Sequence, residues 1–375
     1  MKYFRATAAL VCLIVAGHLT SRPPFSGLPF VFLPLLAWLQ LRERTLGPWY
    51  VFAFFLGVGI KIPFAVFDVG AGIPLAATIW LGYGLVAAVA SSVVPKALQT
   101  DSRAVSAWVF FSLSIPGLGF VFVAPPVASA GWLFPGTGLV GIALLVWFGG
   151  KVIDAVERRS CRPLVIPALL VAGCNVAHVI APPAAVDVSA LSMPVPQPPA
   201  NLARSILASV RFSPAVHAEY AKGAQKVVLP ENVLGLPTPT TVALLDVPAD
   251  RTLIAGGIAR VAGFDSYQKG VWVFPAGIFY PAIQPIPVIE PGLRPHWSAL
   301  HKIANIGGEK YSLLVCFEAS TSLPLYHLGY GRPIILVGNG WWDRSGIMDI
   351  EVGLAHSWAR LFHSSLAVSR GFPQI

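Results

Sequence analysis

Residues 313–320 read Leu-Leu-Val-Cys-Phe-Glu-Ala-Ser. An apolar run climbs to Cys316, and Glu318 follows two places on. Earlier, Gln225-Lys-Val-Val-Leu-Pro-Glu-Asn carries another apolar run to Pro230-Glu231. Side chains at strand ends project into loops, where sites are usually assembled. A thiol there becomes a nucleophile only as thiolate, so it needs a base or a positive neighbour. Glu231 is the candidate base, and Glu318 would share a face with Cys316 if the strand continued. A thiol and a carboxylate so placed could attack an ester or amide and form an acyl-thioester. The bland alternative is that a cysteine after Leu-Leu-Val is a small buried hydrophobe, and that cysteine alone favours it.

The elements that must position these residues alternate in type. A helix is predicted over about 202–223. Strands are predicted near 225–229, 241–247, 252–262, 271–274, 311–316 and 333–339. Pro275-Ala-Gly reads as a turn. A helix near 350–364 and a strand from Ser365 to Arg370 complete the pattern. The alternation predicts an α/β sandwich of buried sheets over residues 202–375. Residues 183–201, with Met193-Pro-Val-Pro-Gln-Pro-Pro-Ala, read as an extended linker.

Residues 1–182 have a different composition. The chain of 375 residues is 55% hydrophobic and 11% charged, with mean hydropathy +0.69. Soluble domains carry about 25% charged residues. Apolar runs near 6–20, 27–41, 49–67, 75–94, 105–124, 131–149 and 164–181 account for the deficit. They predict a bundle of about seven spans, the first two short for a bilayer. Arg42, Arg44, Lys96, Arg103, Lys151, Arg158, Arg159 and Arg162 follow alternate runs. Positive loops stay cytoplasmic, which puts the N-terminus inside and residues 183–375 at the periplasmic face of an inner membrane. Lys61 is the only clear charge within a run and lies near enough to its end to snorkel. The bundle therefore reads as an anchor in preference to a transporter.

The net charge of +9 sits largely in these loops, with no basic stripe among aromatics, so direct nucleic-acid binding is not expected. Cys12, Cys161 and Cys174 belong to the first half, and Cys316 stands alone in the second. No disulfide within that half and no CxxC zinc pattern is available. His327, His356, His363 and Asp343 lack a fixed ligand spacing, so no metal is expected. No cofactor is expected either.

In order, Leu229-Pro-Glu231-Asn232, Pro287-Val-Ile-Glu290, Val315-Cys316-Phe-Glu318, Asn339-Gly-Trp-Trp-Asp343 and His356-Ser-Trp-Ala-Arg360 resemble motifs of the carbon–nitrogen hydrolase (nitrilase) superfamily. The likeness is to its membrane branch, typified by apolipoprotein N-acyltransferase. It covers the second half and a bundle of the right kind. It implies an αββα sandwich in which Glu231 is the general base, Cys316 the nucleophile, and Glu290 and Glu318 support the site. The resemblance also implies a final span, for which no apolar run precedes Ile375. A lysine that stabilises the oxyanion is implied at Ala282. No lysine lies between 270 and 301, and none of Lys269, Lys302 and Lys310 sits in the motif. Losing one such donor typically costs about 10²–10³ in rate. Gln284, one of those three lysines reaching in from outside the motif, or backbone N–H groups after Cys316 are the substitutes.

The nearest likeness within the branch is to accessory proteins of plasmid conjugation. It implies partners in a conjugation apparatus, and an anchor suits a membrane phospholipid as acyl donor. Two expectations follow. One is a Cys316-dependent acyltransferase or amidase. The other is a catalytically degenerate nitrilase-like domain that serves as a binding or assembly factor.

Overall fold

The computed structural model describes the chain except residues 1, 21, 23–25, 44, 69, 71, 115–123, 196–201, 262–265, 284–292, 294–295, 297–302 and 374–375. The side chains of 2–6, 202 and 204 are likewise outside the description. The chain divides into two compact units. The first holds Met1–Pro183, Ser320–Ser322 and Ser345–His363, and the second holds the rest.

The first unit is helical. Its helices are α1 (Lys2–Leu19), α2 (Leu33–Arg42), α3 (Gly47–Val58), α4 (Ile62–Asp68), α5 (Ile73–Ser92), α6 (Ser102–Ser112), α7 (Ala130–Leu133), α8 (Leu139–Glu157) and α9 (Val165–Ile180). Among the described residues, three helices are long and apolar enough to cross a membrane: Ile73–Ser92, Leu139–Glu157 and Arg162–Ile180. The pair α3 and α4, bent by 42°, would make a fourth. The seven expected runs thus form unequal elements. The first two make shorter apolar helices, Thr7–Leu19 and Leu28–Arg42. The third breaks between Val58 and Ile62, and the sixth breaks at Phe134-Pro-Gly-Thr-Gly, where proline and glycines interrupt the helix. Of the fifth, Ser102–Ser112 is helix and 115–123 lie outside the described residues.

Close packing in this unit relies on small residues. A Cβ on Gly17 would lie 2.0 Å from the Phe54 carbonyl oxygen, and one on Gly57 would lie 2.0 Å from that of Ile14. The two glycines let α1 and α3 touch backbone to backbone. Basic loops gather through side-chain contacts. Arg42 pairs with Glu157 at 2.9 Å, and Ser102 donates to Asp154 at 2.7 Å. Lys61 sits in the break between α3 and α4 and donates to the Gly346 carbonyl at 2.6 Å, while Asp68 accepts from Ser345 N–H at 3.1 Å.

The second unit contains two five-stranded sheets. Its elements are β1 (Ser189–Ala190), β2 (Met193–Pro194), α10 (Leu202–Ala221), β3 (Lys226–Leu229), α11 (Pro239–Leu245), β4 (Thr252–Arg260), β5 (Tyr267–Phe274), β6 (Ile278–Pro281), β7 (Ile303–Ile306), β8 (Glu309–Val315), α12 (Pro324–His327), β9 (Ile334–Asn339) and β10 (Leu366–Phe372). The sheets run β1-β3-β4-β5-β6 and β2-β10-β9-β8-β7. In each, the strands from the first to the third or fourth place are parallel, and the far edge is antiparallel. Parallel strands are buried on both faces and read as continuous apolar runs, as β8 and β9 do. On α10, Ala208, Phe212, Val216 and Tyr220 recur every four residues and pack with Val227, Leu229, Leu253 and Ala255. Ser369 of β10 donates to the Val228 carbonyl of β3 at 3.2 Å, and Lys226 of β3 donates to Glu309 of β8 at 2.9 Å, so polar ties join the two sheets.

Two expectations change here, and a third gains detail. Residues 241–247 are not a strand. Thr238 caps a helix with Thr241 in a reciprocal pair, and Pro239 opens it, so capping overrides the β-branched residues. The expected linker is in part strand: 189–190 add to β3 and 193–194 to β10, because extended backbone can satisfy its N–H and C=O groups on sheet edges. The helix expected near 350–364 is α13 (Met348–Leu361), which joins β9 to β10 in sequence but groups with the first unit. There Arg360 donates to Asn175 at 2.7 Å and lies 4.8 Å over the Trp132 ring.

Candidate active site

Glu231 stands just beyond β3. The chain turns at Pro230-Glu231-Asn232, and Asn232 adopts a φ of 52°. The Pro230 carbonyl accepts from Gly256 N–H at 3.2 Å, and Glu231 N–H donates to the Gly338 carbonyl at 3.4 Å. A Cβ at position 256 would lie 2.2 Å from the Cα of Glu231. Only glycine permits this approach. Gly256→Ala is expected to destabilise the second unit by about 1–3 kcal/mol or more, because backbone must move. Denaturant unfolding measures the loss.

Cys316 follows β8 directly, and its φ is 48°. Left-handed backbone is costly for a residue with a Cβ and is retained where the surroundings enforce it. The bend takes Cys316 out of the strand row into a 3₁₀ turn, Cys316–Ser320. Glu318 therefore does not share a strand face with Cys316. Its carboxylate folds back and accepts from Val315 N–H at 2.8 Å and from Ile283 N–H. Glu318 is fully buried. Glu318→Ala leaves two buried N–H groups without this acceptor, an expected cost of about 1–3 kcal/mol each. A lowered unfolding midpoint, with faster hydrogen exchange at Ile283 and Val315, is the corresponding measurement.

Backbone register brings Glu231 and Cys316 to one corner. Val315 of β8 pairs with Val337 of β9, and the next residue on β9, Gly338, accepts from the Glu231 amide. Both side chains are almost fully buried, at 3% and 2% exposure.

The chain has no lysine at 282, where the motif has one, and the structure places one beside Glu231 from another strand. Lys269 Nζ lies 3.0 Å from Glu231 Oε1, with side-chain exposures of 2% and 4%. Lys269 lies on β5, and the β5–β6 register, Gly270 against Pro281, places it opposite Ala282. Ala282 N–H donates to the Lys269 carbonyl at 2.7 Å. The neighbouring N–H, that of Ile283, is the one Glu318 accepts. A short path of backbone contacts thus links Lys269 to the Cys316 turn. The sequence signal was available. Counting across the Pro275-Ala-Gly turn puts residue 269 opposite 282, where the motif asks for lysine.

Other expected participants lie elsewhere. Glu290, Gln284 and Lys302 lie outside the described residues. Lys310 is exposed on β8, opposite Asn305. Trp341 packs against the core around Val227 and Phe212. His327 Nδ1 is 3.1 Å from the Leu323 carbonyl, and His363 stacks edge-on against His178. Among the described residues no three His, Cys, Asp or Glu side chains gather as metal ligands.

Apolar helices are followed by an α/β domain with Glu231 just beyond β3, Cys316 just beyond β8 and Lys269 within β5. Among solved structures, similarity is found to a nitrilase-superfamily amidase of Nesterenkonia sp. AN1, solved as a point mutant, at TM-score 0.34 and 15% identity, over 49% of this chain and 77% of that one. It is also found to a glutamine-dependent NAD+ synthetase of Acinetobacter baumannii at TM-score 0.32 and 13% identity, over 42% and 32%.

In sequence, the chain is similar to conjugal transfer protein TraB of Agrobacterium fabrum, 32% identical over 180 residues, or 42% of this chain and 40% of that protein. It is also similar to the probable conjugal transfer protein TraB of Sinorhizobium fredii, 28% identical over 281 residues, 68% and 70% of the two chains. The first match therefore spans two fifths of its relative's length. No family model matches the chain.

Proposed function

We propose that this chain is a membrane-anchored nitrilase-like acyltransferase or amidase that is accessory to conjugal plasmid transfer. The observation that supports the chemistry is the register at β9: Glu231 N–H donates to the Gly338 carbonyl, and Cys316 follows Val315, which pairs with the residue before Gly338. The Glu231 carboxylate takes the Cys316 thiol proton. The sulfur attacks an ester or amide carbonyl, and the leaving alcohol or amine recovers that proton from Glu231. An acyl-thioester remains on Cys316; water or an amine attacks it, gives its proton to Glu231 and displaces the thiolate, which then takes that proton back. A phospholipid suits the role of acyl donor, because an anchored domain meets it at the bilayer. Similarity to the two TraB proteins supports the link to conjugation and to partners in that machinery.

The membrane reading rests on the apolar helices and on their charge pattern. The contacts Arg42–Glu157 and Ser102–Asp154 draw together loops that carry basic residues. Positive loops favour the cytoplasm, and the second unit then faces the periplasm. The test is the intact mass of purified protein after incubation with mixed phospholipids. A hydroxylamine-labile acyl adduct on the native chain, absent from Cys316→Ser, supports the reading. Its absence from the native chain would favour a silent domain that serves in assembly.

A further inference from the structure

We infer that Lys269 is the charge-stabilising cation of this site, supplied from the strand beside the one where the motif places it. The inference deepens the reading of Cys316 and Glu231 above and rests on it. Directly opposed residues on neighbouring antiparallel strands share a face, with Cβ atoms about 4.5–5.5 Å apart. Lys269 and Ala282 are such a pair, joined by the 2.7 Å bond from Ala282 N–H. A long flexible lysine side chain spans that offset. The ammonium can therefore reach the same space from either strand.

The residues around the pair agree with an exchange of places. Ala282 is 1% exposed, so a small buried side chain stands opposite Lys269 where the motif has a lysine. The Lys269 ammonium is directed to Glu231, 3.0 Å away, in a buried setting. A buried ion pair is weak evidence of stabilisation, since desolvation offsets much of the attraction. Such a pair at a strand-end corner beside a strained cysteine suits charge management. Lys226 provides the contrast within the same domain. It pairs with Glu309, whose side chain is 55% exposed, and it ties sheet to sheet away from Cys316. In the Lys269 arrangement, Glu231 moves the proton and Lys269 opposes the negative charge, first on sulfur and then on the acyl oxygen.

The test uses the full chain in detergent with Cys12, Cys161 and Cys174 changed to serine. Alkylation of Cys316 by iodoacetamide is followed by intact mass at neutral pH. This readout needs no turnover, so it separates the role of Lys269 from the acyl-transfer reading, which the adduct experiment tests. Lys269→Met is expected to slow alkylation at least tenfold. Lys269→Met combined with Ala282→Lys is expected to restore the rate to within about threefold. Lys269→Gln, which can still hydrogen-bond Glu231 but carries no charge, replaces Met if the Met variant fails to fold. An unchanged rate in a folded, charge-free variant would overturn the inference. So would a folded double variant that stays slow. An acyl adduct that forms equally well without Lys269 would overturn it while leaving Cys316 as nucleophile.

Discussion

Glu231→Ala is expected to lower the stability of the second unit by about 3–5 kcal/mol. The substitution removes a carboxylate from a buried ammonium, and breaking a buried pair from one side costs far more than the pair contributes. Lys269 and Glu231 are 3.0 Å apart with almost no solvent contact, so screening does not soften the loss. The partner substitution should offset it. Glu231→Ala with Lys269→Met leaves neither charge behind, and the double variant is expected to be more stable than the sum of the two single losses by at least about 1 kcal/mol. Hydrogen exchange on peptides spanning β3 to β5, across a denaturant series, reads this unit separately from the helices. Simple additivity would mean that the two groups do not interact in solution.

The second large effect is on rate. Glu231→Gln preserves shape and one hydrogen-bond acceptor but cannot take a proton. The rate of Cys316 acylation is expected to fall by about 10²–10⁴. Cys316→Ser, with a far weaker nucleophile, is expected to give no adduct on the same timescale. The two variants differ in what remains. Glu231→Gln should still accumulate adduct slowly, and raising pH should recover part of the rate by supplying thiolate without the base. A pH-independent deficit would argue that Glu231 serves position alone.

How far the sequence reveals this arrangement depends on the range of each interaction. Apolar runs such as Leu313–Val315 and Ile334–Val337 are local signals, and both form buried parallel strands. Phe212, Val216 and Tyr220 likewise carry their face of α10 in their spacing. Residues 241–247 misled because Val242, Leu244 and Val247 suit a strand, while the decisive cap lies outside that window at Thr238. The two-residue strands at 189–190 and 193–194 have no pattern of their own and exist only because sheet edges accept them. Lys269 is the most instructive case. Read along the chain, it is a lysine before Gly-Val-Trp-Val-Phe, outside every motif. Its place opposite Ala282 follows from counting the hairpin register across the Pro275-Ala-Gly turn, a step that no motif prompts. Its pairing with Glu231 further needs β4 between them, with Gly256 bare enough to admit the Glu231 backbone. Glu318 shows the converse. Its proximity to Cys316 is plain in the sequence, but the φ of 48° at Cys316 redirects it from sharing a face to fastening the turn.

The most direct test of the central claim is the mass of the intact chain after exposure to phospholipid vesicles, with peptide mapping of any adduct. The account predicts a single acyl group, labile to hydroxylamine, on Cys316 of the native chain, formed far more slowly in Glu231→Gln and absent in Cys316→Ser. A native chain that stays unmodified, or one acylated at Cys12, Cys161 or Cys174 with Cys316 untouched, would contradict it.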